Sequence, residues 1–343
     1  MGTEGISIAS LTFSVPASAV VRDTSMVPAS PVVVSIVNND TGGEYRLPTF
    51  YVDKRSIKKG ICTFTCYDRL AFADSLTYTP EDFAPEGGGE TPVNIGAMEL
   101  VQKACDKLSI TNNCAFDSLG NFNVDSVIGQ TVGQVLSDIS ALYMGVFFID
   151  NVGSLQFTVF NSGFNALDGE PYGGHFNDCT SPDIGDDIVI GCINVTDGEG
   201  KAYSVEADSG TAVLNVNTRA VFTDAKEVEN YYKRLLQGKK YTYMNVDRVM
   251  LDGVPALDAV CTFADVNAAF AVNSIRCTVN SDGFYGAVGC NDYSVGEIGA
   301  YMGAITRQLN KTLKTGDRYG PDKHALHTAY QGTIWLDSSD YGG

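Results

Sequence analysis

The sequence predicts an α+β chain that is mainly β, with a small helical block set into its first half. Three observations lead there. Apolar residues alternate in short runs, as in Ile6 and Ile8, then Leu11, Phe13 and Val15, then Val32, Val34 and Ile36. Helical spacing is confined to a few stretches, two of them adjacent. The 36 glycines are scattered through turn-forming clusters, with no internal repeat.

The opening runs read as strands, and Asn38-Asn39-Asp40-Thr41-Gly42-Gly43 reads as a turn. Thr49-Phe50-Tyr51-Val52 and Ile61-Cys62-Thr63-Phe64-Thr65-Cys66 are the arms of a hairpin, and polar Asp53 to Gly60 between them is a long basic loop with Lys54, Arg55, Lys58 and Lys59. Composition shifts after Leu70, and residues 79–92, rich in Pro, Gly and acid, read as a linker or surface loop. A helix is expected next, starting at Thr91-Pro92, with Met98, Val101, Cys105 and Leu108 on one face. Residues 112–123 read as a polar loop. Thr131 and Gln134 form a capping box ahead of the stripe Val135, Leu136, Ile139, Leu142 and Tyr143, which Gly145 stops. Val146 to Ile149 and Leu155 to Phe160 form a hairpin across Asn151-Val152-Gly153-Ser154.

Residues 161–187 mark a second boundary. Strand patterns resume at Ile188 to Ile190 and at Ala212, Leu214 and Val216. One helix is signalled by Asp224 and Glu227, with the stripe Val228, Tyr231, Tyr232, Leu235 and Leu236 and a stop at Gly238. Strands return at Tyr241 to Leu251, Val260 to Phe263 and Ile275 to Val279, and Ser281-Asp282-Gly283 is a hairpin turn. Ile298, Tyr301, Met302, Ile305, Leu309 and Leu313 have helical spacing on a basic stretch that includes Arg307 and Lys311. The two adjacent helices interrupt a β pattern. The expected organisation is therefore a discontinuous β domain from 1–72 and 142–180, a helical insertion at 73–141, a second β domain with one helix at 181–292, and a C-terminal docking arm at 293–343.

Length supports about two domains at roughly 100–200 residues each. No apolar run approaches the roughly 20 residues that span a bilayer. Glu4 and the lack of Lys or Arg before Arg22 argue against a secretory signal, so folding in a cytoplasm is expected. With 41 acidic against 23 basic residues and a net charge of −18, the chain is a poor nucleic-acid binder. The same charge suits solubility, or a wall along which DNA slides without sticking. Nine cysteines are too few and too scattered for a disulfide scaffold, no C-x-x-C is present, and most read as small buried apolar groups.

Chemistry-bearing motifs are weak. His324 and His327 lack the further ligand and the Glu of a zinc helix. Asp183, Asp186 and Asp187 read as a solvated loop, and neither they nor Asp197 to Glu206 fit a calcium loop. Ser56-Ile57-Lys58-Lys59 and Lys314-Thr315-Gly316 match fragments of penicillin-binding enzymes at chance level, without the element between them. No G-x-S-x-G, Walker loop or dinucleotide fingerprint occurs, and no carboxylate pair stands out for glycoside hydrolysis. The expectation is no catalytic residue, no metal and no cofactor.

Four blocks carry a resemblance. They are "FYVD" at 50–53 with "TFTCYDRL" at 63–70, the helix at 97–108, the capped helix at 131–149 leading into "IDNVGSLQF", and Met250 to Asp258. In this order they resemble the tail hub (baseplate hub) proteins of tailed bacteriophages and contractile injection particles. The last block departs from the family's G-D-P-x-L-x-x-G-D, with Val254 in place of Asp and Asp258-Ala259 in place of Gly-Asp. The resemblance spans about residues 45–290 and implies two tail-tube-like β-barrels, the first interrupted by the helical insertion. It further implies a non-enzymatic homotrimer whose six barrels match a six-fold tube. Such a ring joins the tail tube or distal tail protein above to the tip or spike below, beside a tape measure protein. Genomic DNA passes through it without specific binding. The expected place is the virion tail tip, after assembly in the bacterial cytoplasm. Candidate contacts between subunits or with partners are Phe50, Tyr51, Lys54, Arg55, Lys58, Lys59, Arg307, Lys311 and Trp335. The rival readings are another tail-tip component, such as a distal tail or host-glycan-binding protein, and an acidic glycan-cleaving enzyme.

Overall fold

In the computed structural model, residues 5–20, 29–37, 42–85, 90–115, 117–159, 183–207, 210, 212–236, 240–250, 260–263, 266–271, 274–280, 283–289 and 332–334 are described. The alternating runs become β1 (Ser10–Pro16), β2 (Pro31–Val37), β3 (Glu44–Arg46), β4 (Phe50–Lys58) and β5 (Ile61–Tyr67), with a single helical turn, α1 (Ala17–Val20), after β1. β5 lies between β1 and β4 and is antiparallel to both. The first residues of β4 pair with β2, and β3 pairs with the far end of β2. Alternation sorts the two faces. Phe13 stands opposite Phe64 and Val15 opposite Cys62, and the two phenyl rings stack at 5.0 Å. Ser14 and Thr63, on the other face, share a hydrogen bond of 2.8 Å.

The expected loop at Asp53–Gly60 is instead strand. Register shifts between Val52 and Lys54, so Asp53 is the extra residue of a bulge and the ladder runs on to Lys58 opposite Ile61. Only Lys59 and Gly60 turn, with φ of 52° and 79°. Two successive left-handed residues match the twist of a two-residue hairpin, and glycine takes that conformation freely. Hydrophilic side chains here mark an exposed strand.

The segment after β5 is also more ordered than its composition suggests. Asp68 caps a 3₁₀ helix, Arg69–Ser75, by accepting from the Leu70 N–H at 3.0 Å. A second, Pro80–Phe83, buries Phe83, and Asp82 pairs with Lys107 at 2.7 Å, so the expected linker begins as a packed turn. Then come β6 (Asn94–Gly96), α2 (Ala97–Leu108), β7 (Thr111–Asn112), β8 (Gly120–Asn123), α3 (Val124–Val127), α4 (Val132–Tyr143), β9 (Gly145–Ile149) and β10 (Ser154–Val159). α2 starts after Gly96, beyond the expected Thr91-Pro92, because Asn94–Gly96 is held in a strand against β8. Val101, Cys105 and Leu108 are buried as expected, whereas Met98 lies at the exposed margin and Leu100 and Ala104 complete the stripe. The 112–123 stretch contributes strand β8 rather than loop alone.

α4 carries the expected capping box, Thr131 with Gln134, and buries its predicted stripe. Its left-handed cap is Met144 rather than Gly145. Gly145 is needed for a different reason: a Cβ there would sit 2.1 Å from the Phe157 ring and 2.5 Å from the Thr158 carbonyl oxygen. The β9–β10 hairpin pairs with β7, and Ile6 bridges to Phe147.

Beyond it lie β11 (Asp183–Thr196), β12 (Ala202–Glu206), β13 (Ala212–Asn217), β14 (Val221–Phe222), α5 (Ala225–Leu236), β15 (Lys240–Met250), β16 (Val260–Phe263), β17 (Val266–Ala271), β18 (Ser274–Asn280) and β19 (Gly283–Gly289). Asp183, Asp186 and Asp187 therefore belong to a strand with a bulge, not to a loop. The second sheet runs β12-β11-β15-β19-β18, with β13 parallel to β11. β20 (Gly332–Ile334) returns from the C-terminal region to lie parallel to β2. The chain is α+β and mainly β, as expected. The sheets among the described residues are open, and none closes into a barrel.

Among the described residues two apolar clusters form. The larger joins α2, α4, the β9–β10 hairpin, the β11–β13 strands and α5. α5 is fastened where α4 ends and its last carbonyls lack partners along the helix. Tyr232 donates its hydroxyl to the Leu142 carbonyl at 2.5 Å and Tyr231 to that of Tyr143 at 2.6 Å. The smaller cluster is the inner face of the first sheet, built on Val32, Val34, Phe50, Val52, Phe64 and the two cysteines of β5.

Candidate assembly surface

The β4–β5 hairpin brings together most of the sequence-predicted contact residues. β2 pairs with β4 only at Phe50 and Tyr51, and the ladder continues where the Ala29 N–H donates to the Val52 carbonyl and the Val52 N–H to the Ser30 carbonyl. From Asp53 to Lys58 the outer side of β4 has no strand beside it among the described residues. Lys54, Arg55, Ser56, Ile57 and Lys58 are all exposed there, and Lys59 is exposed in the turn. Asp53–Gly60 holds four cations and one carboxylate, in a chain of net charge −18. None of the four cations has an ion-pair partner among the described residues.

The sequence reading missed the apolar part of this surface. Ile57 is 55% exposed and Ile61 is 52% exposed, on either side of the turn. Alternation points Ile57 to the same face as buried Cys62, its partner across the ladder, yet Ile57 itself is exposed. The signal was present as an isoleucine amid lysines. The turn is anchored on its other side, where the Ala17 N–H donates to the Gly60 carbonyl at 2.7 Å.

Two predicted contacts play another part. Phe50 is buried in the sheet core. The Tyr51 ring lies beneath the Arg69 guanidinium, 4.7 Å from its centroid, while Arg69 Nε donates to the Leu108 carbonyl at 2.8 Å. Tyr51 therefore joins the sheet to the helical layer. Arg307, Lys311 and Trp335 lie outside the described residues.

Below the hairpin, Asp68 is fully buried at the foot of β5. It accepts from the Ala9 N–H at 2.7 Å and from Leu70, tying the chain ahead of β1 to the first 3₁₀ helix. Burial pushes its carboxyl up to about 7, against the pull of these backbone donors. Burial also pushes the thiol of Cys66 up to about 12, with the nearby Asp53 charge adding to it.

Among the described residues no group of three or more His, Cys, Asp or Glu side chains could hold a metal ion. Asp197 is occupied in its own turn, where Oδ1 accepts from Glu199 and Lys201 at 3.0 and 2.8 Å. Asp150 does the same for Val152 and Ser154 at 3.0 and 2.8 Å. His175, His324 and His327 lie outside the described residues, as does the helical pattern at 298–313.

No family model matches the sequence, and no curated protein matches it. Solved structures resemble this chain at low identity, each of these three with a TM-score below 0.5. The 43 kDa tail protein of prophage MuSo2 from Shewanella oneidensis is 11% identical, with a TM-score of 0.49 over 84% of this chain and 91% of that one. Prophage tail protein gp18 from Listeria monocytogenes EGD-e is 13% identical, with a TM-score of 0.47 over 91% of this chain and 94% of that one. The tail protein from Neisseria meningitidis MC58 is 12% identical, with a TM-score of 0.44 over 82% of this chain and 95% of that one.

Proposed function

We propose that this chain is a structural subunit of a phage or phage-like tail, and within it the hub that joins tube to tip. The observation that carries the reading is the first sheet: among the described residues no strand lies against the outer edge of β1, nor against the outer edge of β4 from Lys54 to Lys58. Free strand edges are hazards that proteins cover, close or put to use in assembly. The ordered sequence blocks that resemble tail hubs supply the particular assembly: three copies in a ring, between tail tube and spike, around a passage for DNA. The acidic balance suits that passage, since like charge limits sticking. The chain works by association rather than by turnover.

Native mass across a concentration series tests this. A mass near three times 36.6 kDa is the expected result. A six-fold ring overturns the hub and favours a tube or distal-tail role. A monomer at every concentration overturns self-assembly.

A further inference from the structure

We infer that the Asp68 carboxyl is a latch, closed on Ala9 where the chain enters and leaves the first sheet, and that it opens without the larger apolar cluster coming apart. The inference does not depend on the proposed role in a tail.

Among the described residues the chain crosses between the two apolar clusters side by side with itself. Ile6 and Ile8 belong to the larger cluster, and β1 begins at Ser10. β5 ends at Tyr67, and Leu70 is back in the larger cluster. The inner face of the sheet between these points forms the smaller cluster. Ala9 and Asp68 meet at the crossing. The Asp68 N–H donates to the Ala9 carbonyl at 3.0 Å, and the Ala9 N–H returns to Asp68 Oδ2 at 2.7 Å. Oδ1 accepts from the Leu70 N–H at 3.0 Å. One buried carboxyl therefore holds the incoming chain against the outgoing 3₁₀ helix.

Ahead of the crossing, residues 5–9 run as a strap beside β9. The Phe147 N–H donates to the Gly5 carbonyl at 2.9 Å, and the Ser7 N–H to the Phe147 carbonyl at 2.7 Å. Ser140 Oγ donates to the Gly5 carbonyl at 3.1 Å. The fit is close, since a Cβ on Gly5 would sit 2.0 Å from Ser140 Oγ. Apolar packing of Ile6 and Ile8 thus keeps the strap with the larger cluster, whereas the crossing rests on a polar group. Proteins open locally at such points with less free energy than global unfolding needs.

The latch has no counter-charge among the described residues, since only burial and backbone donors act on Asp68. Charged groups on neighbouring elements are engaged elsewhere. Arg69 donates to the Leu108 carbonyl, Asp74 accepts from Thr131, and Lys103 and Lys107 both meet Asp82. Asp138 pairs with Arg219, and Asp53 acts on Cys66 and Tyr67. Ionising Asp68, above about 7, leaves a charge in apolar surroundings, and opening the crossing returns it to water. The latch is therefore firmest in acid and weakens up to about pH 7.

Amide hydrogen exchange on the full-length chain at pH 6 and pH 8, corrected for intrinsic rates, tests this. The Ala9 and Asp68 amides are expected to be at least tenfold less protected than the Ile139 amide of α4 at both pH values. Their protection should fall about tenfold from pH 6 to pH 8, the factor for a carboxyl that goes from about 7 when latched to 3.8 when open. Asp68→Asn should abolish that fall. Equal protection at the crossing and in α4 overturns the latch, because the sheet then parts only with global unfolding. A fall that persists in Asp68→Asn overturns it too. If Asp68→Asn fails to fold, the unaltered chain decides alone: protection independent of pH at Ala9 and Asp68 overturns the inference.

Discussion

Replacing Asp68 by Asn separates two opposing forces on a buried carboxylate. Burial disfavours its charge, and the N–H groups of Ala9 and Leu70 favour it. Burial wins, raising the group from 3.8 to about 7. As pH rises above 3.8 the unfolded chain releases this proton first, while the folded chain holds it until about 7. Stability therefore falls across that window by about 1.4 kcal/mol per pH unit, and is level above and below it. Asn cannot titrate. It leaves one backbone N–H facing its amide, which costs about 1–3 kcal/mol at any pH. The penalty of Asp68→Asn should therefore shrink between pH 5 and pH 8 by about 3 kcal/mol, a change large enough to reverse its sign. Urea unfolding of both proteins at the two pH values measures this, and other titrating groups cancel in the difference. Parallel pH profiles would refute the reasoning, showing that the backbone donors fully compensate burial.

Other outcomes follow from the same contacts. Tyr232→Phe should destabilise the chain by about 1–2 kcal/mol in denaturant unfolding, because the Leu142 carbonyl at the end of α4 loses its buried donor. Gly145→Ala should cost about 1–3 kcal/mol by the same assay, since the added methyl meets the Phe157 ring, and Phe157→Leu in the same chain should recover part of it. Cys66, Cys105 and Cys114, each pushed up to about 12 chiefly by burial, should resist a thiol reagent at pH 8 in the native chain and react once it is unfolded. Fast native labelling of Cys66 would contradict its placement in the sheet core.

Local signals determined much of this protein. Period-two alternation set β1, β2 and β5, and a capping box with an apolar stripe set α4, because each is written within a few residues of itself. The stripe of α5 was equally plain. Cys62, Cys66, Cys105 and Cys114 are buried free thiols, in keeping with their apolar surroundings in the sequence. The resemblance to tail hubs also lay in the sequence.

What the sequence misread was polar strand. Asp53 to Lys58 looks like a loop because strands are recognised by burying one face, and this one runs past the edge of its core. Only pairing with β5 shows it to be a strand, and only the sheet order shows that β2 pairs with no more than its first residues. The same holds for Tyr231 and Tyr232. Their spacing put them on a buried face, but their hydroxyls matter through carbonyls 88 and 90 residues away. Met144 in place of glycine at the end of α4, and the bulge that keeps Lys54 in register, are likewise settled by tertiary contacts. Periodicity tells which side of an element faces inward. Which strands pair, and along which edge, depends on strand order, and strand order is a property of the folded sheet alone.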